Sequence, residues 1–161
     1  MRELIVYYSM TGNTENTAGK IAAIRGADLL RIDPVKAYPD KGFIKFLWGG
    51  RSAVMAESPK LKPYEFDPDR YDRVIIGFPI WAGTFAPPVR TFVKENAEAL
   101  RTKKIAVFAC MGGSSAEKAF SKLGTLLGRD SFDARLVLTD PLINKDEADG
   151  ERIREFCTAL G

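Results

Sequence analysis

The sequence predicts an α/β fold, a three-layer α/β/α sandwich around a five-stranded parallel sheet, and three observations carry that prediction. Five short apolar runs, Leu4–Tyr8, Ala27–Asp33, Asp72–Phe78, Lys104–Cys110 and Arg135–Thr139, alternate with stretches of helical periodicity. The first, third and fourth runs are apolar almost throughout, as strands buried on both faces of a parallel sheet must be. Between the first run and the first helical stretch, Ser9–Thr14 packs hydroxyls, one glycine and an amide into a tight turn. The 161 residues suit one domain, expected to span 1–161, and can bury a sizeable core.

After Leu4–Tyr8 and the turn, Thr17, Ala18, Ile21 and Ala22 recur at helical spacing, so a helix is expected to begin around Asn13 or Thr14. Ala27–Asp33 alternates polar and apolar residues and is closed by Pro34, which places a second strand at or near a sheet edge. Residues 34 to 71 are the least regular part. Within them Phe43, Ile44, Phe46, Leu47 and Trp48 suggest a helix, with Ala53–Ala56 a second short turn beyond the Gly49-Gly50 pair.

Asp72–Phe78 reads as the third strand and Pro79–Ala86 as a loop. Pro87-Pro88 suits a first helical turn, and Val89, Phe92 and Val93 give that helix an apolar face through to Leu100. The fourth strand, Lys104–Cys110, turns through Met111–Ser115 into a helix marked by Ala119, Phe120, Leu123, Leu126 and Leu127 and ending near Gly128. The fifth strand, Arg135–Thr139, precedes a last helix expected from about Lys145 to Leu160. Such sheets bind ligands outside the carboxyl ends of their strands. Three loops are expected there, after the first, third and fourth strands.

Composition narrows the chemistry. Histidine is absent, which removes the commonest metal ligand and the commonest general base near neutral pH. Cys110 and Cys157 lack metal-site spacing and read as buried thiols. Any reaction is therefore expected to belong to a cofactor, with no metal. A net charge of +3 with both signs interspersed gives no nucleic-acid signature. No apolar run approaches a membrane span, and no secretory leader precedes the first strand, so the expected location is the cytoplasm.

The turn Ser9–Thr14 has the makings of an anion site. Amide N–H groups at a helix start lack intrahelical partners and sit at the positive end of the helix dipole. Ser9, Thr11 and Thr14 add hydroxyls, Gly12 permits close backbone approach, and no lysine or arginine is present in the turn. A capped turn with nothing bound is the alternative. A nucleoside-triphosphatase loop is excluded, because Gly12 is followed by Asn13 and Thr14 and not by the lysine that loop requires.

The segment Ser9-Met-Thr-Gly-Asn-Thr14, directly after an apolar first strand, resembles the phosphate-binding fingerprint of the flavodoxin family. Two later stretches, Pro79-Ile-Trp-Ala-Gly-Thr84 and Cys110-Met-Gly-Gly-Ser-Ser115, fall where that family holds the isoalloxazine ring, so the resemblance covers nearly the whole chain. It implies flavin mononucleotide (FMN) as cofactor and a strand order of 2-1-3-4-5. By the same resemblance Ser9, Met10, Thr11, Gly12, Asn13 and Thr14 would bind the phosphate end. Pro79, Ile80, Trp81, Ala82, Gly83, Thr84, Cys110, Met111, Gly112 and Gly113 would bracket the ribityl chain and ring. Trp81 can stack on a planar ring, or it can be a core anchor. Gly83 would let a peptide reorient toward the reduced ring, which a β-branched replacement would disturb by shifting the flavin potential.

Departures from the family pattern matter too. Cys110–Ser115 has no aromatic residue where many electron-carrying flavodoxins place a tyrosine, so one ring face is expected to be open. The sequence pI near 8.9 contrasts with the acidity usual in the family. Lys36, Lys41, Lys45, Arg51, Lys60 and Lys62 stand against Asp40 and Glu57, which is either a solvated surface or a means of steering an acidic redox partner or cofactor phosphate.

Two other classes of this fold fall away. A phosphatase loop needs an arginine six residues after its cysteine, and position 116 is Ala. A phosphorylation-controlled receiver needs carboxylates at the end of the first strand, where Tyr8 and Ser9 stand. The leading expectation is an FMN-binding electron-transfer protein whose partners are redox proteins. The alternative is an FMN-dependent NAD(P)H oxidoreductase acting on a quinone or similar acceptor, and a third class is a binding module that has lost the flavin.

Overall fold

A computed structural model describes residues 1–39, 57–113 and 115–161. The helix expected around Phe43–Trp48, the turn at Ala53–Ala56, and Asp40, Lys41, Lys45 and Arg51 lie outside the described residues, as does Ser114.

The five expected strands all form: β1 (Glu3–Tyr7), β2 (Asp28–Arg31), β3 (Arg73–Trp81), β5 (Lys104–Met111) and β6 (Arg135–Thr139), with a two-residue strand β4 (Thr84–Phe85) added beside β3. The sheet runs β2-β1-β3-β5-β6, all parallel, and β4 pairs antiparallel with β3. Once the short β4 is set aside, this is the expected order 2-1-3-4-5.

Strand alternation divides the core in two. Leu4, Val6, Val74, Ile76, Phe78, Ile105 and Val107 face one cluster with Phe92, Val93, Phe120 and Leu123. These last four belong to helices α2 (Pro87–Glu95) and α4 (Glu117–Leu127). Ile5, Tyr7, Ile75, Ala106, Phe108, Leu136 and Leu138 face the other cluster with Ala18, Ile21, Ile153, Phe156 and Cys157. Those side chains come from α1 (Asn13–Arg25) and α6 (Ala148–Ala159), which cover the second face.

Four boundaries differ from the sequence reading. Pro79–Ala86 is no loop: β3 runs on to Trp81, and residues 82 and 83 form the tip of a hairpin whose Trp81 pairs with Thr84. The tip takes positive φ at Ala82 (49°) and Gly83 (74°), the mirror-image turn that matches the twist of paired strands. The helix from Pro87 breaks at Asn96, and α3 (Ala97–Arg101) follows. At that break the Asn96 side chain donates to the Phe92 carbonyl at 2.8 Å and to the Tyr64 hydroxyl at 2.9 Å. The last helix begins at Ala148 instead of Lys145, whose φ of 48° is incompatible with a helix. Between β6 and α6 lies an unexpected short helix, α5 (Pro141–Asn144).

At the amino edge of the sheet, opposite the carboxyl ends of the strands, buried Glu3 accepts from Arg25 at 2.7 Å and from Arg73 at 2.6 Å. Burial alone pushes the Glu3 carboxyl up, but the hydrogen bonds and charges of Arg25 and Arg73 outweigh it and leave the group below its ordinary range.

Candidate functional site

A cavity of about 690 Å³ opens at the carboxyl edge of the sheet, within the range of sites that hold small organic ligands. Among the described residues four segments wall it. Ser9, Met10, Thr11, Asn13 and Thr14 come from the β1–α1 turn, Pro79, Ile80, Trp81 and Ala82 from the end of β3, and Cys110, Met111, Gly112 and Gly113 from the end of β5. Asp140 and Ile143 complete it from the β6–α6 connection. The loops expected after the first, third and fourth strands thus converge on one space.

Three expected residues stand off the lining: Gly12, Gly83 and Thr84. Gly12 is the N-cap of α1, with φ 99°, and its amide donates to the Ser9 hydroxyl oxygen at 3.2 Å. Gly83 forms the hairpin tip, and Thr84 is buried in β4. Sequence reading missed Asp140 and Ile143. Both follow a strand that ends at the same edge, and Pro141 at a first helical position marks a helix start there.

The β1–α1 turn is prepared for an anion. The first N–H groups of the 13-residue α1 lack intrahelical partners and lie at its positive end. The Asn13 side-chain carbonyl accepts from the Leu142 amide at 3.0 Å, an assignment that leaves the Asn13 NH2 group as the free donor. Thr14 is 1% exposed, and its hydroxyl oxygen has no hydrogen-bond partner, although it lies close enough to favour the Cys110 thiolate slightly. A buried hydroxyl without a partner at the start of a helix is available as a donor to a ligand or a water.

Trp81 lines the cavity and is also anchored, edge-on, by Tyr8 at a centroid distance of 5.7 Å and by Tyr38 at 5.2 Å. Tyr8 and Tyr38 contact one another at 6.4 Å, so each ring of the trio braces the other two. Cys110, at the floor, is buried. Its burial raises the thiol pKa; hydrogen bonding by Thr17 and Thr14 acts against that, and the carboxylates of Asp149 and Asp140 add a smaller increase. It stays a neutral thiol and not a nucleophile. Among the described residues no group of three or more His, Cys, Asp or Glu side chains could hold a metal ion.

A family model described as flavodoxin matches residues 2–146. The chain belongs to the flavodoxin family.

Solved structures agree with that membership. A protein from Bacteroides eggerthii, named as a candidate flavoprotein, is 27% identical to this flavodoxin-family chain, with a TM-score of 0.76 over 99% of this chain and 97% of its own. A flavoprotein from Lactobacillus acidophilus, solved in complex with FMN, is 20% identical with a TM-score of 0.72, covering 89% of this chain and 97% of its own. Oxidised flavodoxin 1 from Bacillus cereus is 19% identical with a TM-score of 0.57, covering 99% and 97%. At those identities the last two speak for the fold.

The cofactor of this flavodoxin-family protein is FMN, and the cavity suits it. The unpartnered Thr14 hydroxyl and the open helix start lie at one end for a phosphate, and an apolar aromatic wall lies at the other for a planar ring. Among the described residues the cavity lining contains no lysine or arginine. Main-chain N–H groups, hydroxyls and the helix dipole of the turn are placed to hold the phosphate.

Proposed function

We propose that this protein is an electron-transfer flavoprotein that operates in the cytoplasm as one domain and exchanges electrons with redox partner proteins. When bound, FMN supplies the redox chemistry, taking up and releasing electrons at its ring. The chain's residues bind and orient it. The α1 start and Ser9, Thr11 and Thr14 would hold the phosphate, while Trp81, backed by Tyr8 and Tyr38, would cover one ring face and exclude water. The observation that carries the reading is the single cavity that joins an unpartnered buried hydroxyl at a helix start to a braced tryptophan. Two free, buried cysteines suit a reducing compartment. Exposed Lys36, Lys60 and Lys62 suit an acidic partner, through electrostatic steering.

A second reading, an FMN-dependent NAD(P)H oxidoreductase reducing a quinone or similar acceptor, is favoured by one observation. Among the described residues the wall after β5 offers half-buried Met111 and exposed Gly112 and Gly113, small groups that would leave the ring face opposite Trp81 accessible to a second substrate.

The two separate in one anaerobic experiment on the FMN-loaded protein. Following the oxidised flavin absorbance after adding NADH or NADPH tests the enzyme, and stepwise chemical reduction tests the carrier. A carrier leaves the band unbleached by either nucleotide and takes up chemical electrons one at a time. A reductase bleaches rapidly and turns over with an added quinone. A protein that retains no FMN refutes both.

A further inference from the structure

Arg31 closes the edge strand β2, in register with Tyr7 at the end of β1. Its guanidinium reaches across to the β1–α1 turn. Nη2 donates to the Ser9 carbonyl at 3.0 Å, Nη1 meets the Glu15 carboxylate at 3.0 Å, and Nε donates to Asp33 at 3.0 Å. The Tyr7 hydroxyl donates to the other Glu15 oxygen at 3.4 Å. Glu15 lies in the first turn of α1, the turn whose N–H groups face the anion site. A carboxylate there favours the empty helix start but repels a bound dianion.

We propose that Arg31 is a positioning residue for phosphate recognition. It fixes the peptide that opens the turn by holding the Ser9 carbonyl. It also ties Glu15 to the β2 side and cancels its charge, so that the helix start meets the phosphate without an opposing carboxylate. The turn, which has no lysine or arginine of its own, then gains a cation indirectly, from behind. One planar group with its donors in a fixed fork makes all three contacts, which the single ammonium of lysine cannot reproduce. This inference rests on the FMN reading.

The experiment compares the affinity of the apoprotein for FMN and for riboflavin, which lacks the phosphate, by quenching of flavin fluorescence. The proteins are the wild type, Arg31→Met, Arg31→Lys and the double variant Arg31→Met with Glu15→Gln. We expect Arg31→Met to lose about tenfold or more in FMN affinity while riboflavin affinity stays within about twofold. Arg31→Lys should fall between, and adding Glu15→Gln to Arg31→Met should restore part of the loss. Arg31→Met weakening both flavins alike would mean that Arg31 only supports the fold, and FMN binding unchanged by Arg31→Met would overturn the inference equally. Both results leave the FMN reading standing, whereas a wild type that binds neither flavin overturns that reading itself.

Discussion

Replacing Thr14 by valine should move stability and affinity in opposite directions. Thr14 is 1% exposed and its hydroxyl oxygen has no hydrogen-bond partner in the protein. Burying such a group unpaired costs about 1–3 kcal/mol, and proximity to the Cys110 thiol returns only part of that. Valine has nearly the same shape and the same β-branching, so packing and helix propensity change little. The apoprotein should therefore gain about 1 kcal/mol, read as a higher urea midpoint at unchanged slope and a melting temperature raised by about 2–4 °C. FMN, deprived of a donor, should bind about tenfold more weakly, with riboflavin affinity unchanged as the control. An apoprotein destabilised by Thr14→Val that still binds FMN at wild-type strength would refute the reasoning, because the hydroxyl would then be serving the fold.

Three further perturbations test other parts of the structure. The Glu3 carboxyl lies below its ordinary value of 4.5 when folded, so the unfolded chain takes up a proton more readily. The stability that Glu3 contributes is thus complete above that pH and is lost as pH falls through the folded value. Glu3→Gln should flatten this acid limb in equilibrium denaturation and remove about 3 kcal/mol at pH 7, since it leaves the buried Arg73 with Asp133, at 3.2 Å, as its remaining carboxylate partner. Gly77 lies so close to the buried ring of Phe108 that a Cβ would stand 2.0 Å from Cζ. Gly77→Ala should cost about 3 kcal/mol or more by urea unfolding, and Phe108→Leu in the same chain should recover part of it; an unaffected midpoint for the single variant would contradict the packing described. Ala82 holds φ 49° beside Gly83 at the hairpin tip. Ala82→Asn should raise stability by about 0.5–1 kcal/mol, measured as a higher melting temperature, because asparagine tolerates that conformation better.

The central strands β1, β3 and β5 were legible because strands buried on both faces must be apolar almost throughout, a signal that needs no tertiary knowledge. The β1–α1 turn was legible for a similar reason: hydroxyls, an amide and one glycine between an apolar run and a helical period have few structural uses. The hairpin was hidden because Pro79 and Gly83 read as breakers, yet Pro79 continues β3 and its carbonyl accepts from the Ala86 amide at 3.2 Å. The helix break at Asn96 depends on Tyr64, 32 residues away, and no local pattern reports that contact. Asp140 and Ile143 escaped notice because α5 has four residues, too few for any periodicity to register. Arg31 escaped because its target, Ser9, is 22 residues distant, in the turn that follows the neighbouring strand.

The neutral thiol at the cavity floor has a consequence for how protons accompany electrons. Histidine, the one side chain whose ordinary pKa falls in the neutral range, is absent from the whole chain, and the pKa values of both cysteines are pushed further up by burial. Between pH 6 and 8 the floor therefore keeps one fixed charge state, and no histidine stands anywhere to relay a proton. A plot of flavin potential against pH over that span should show only the slopes of the cofactor's own ring.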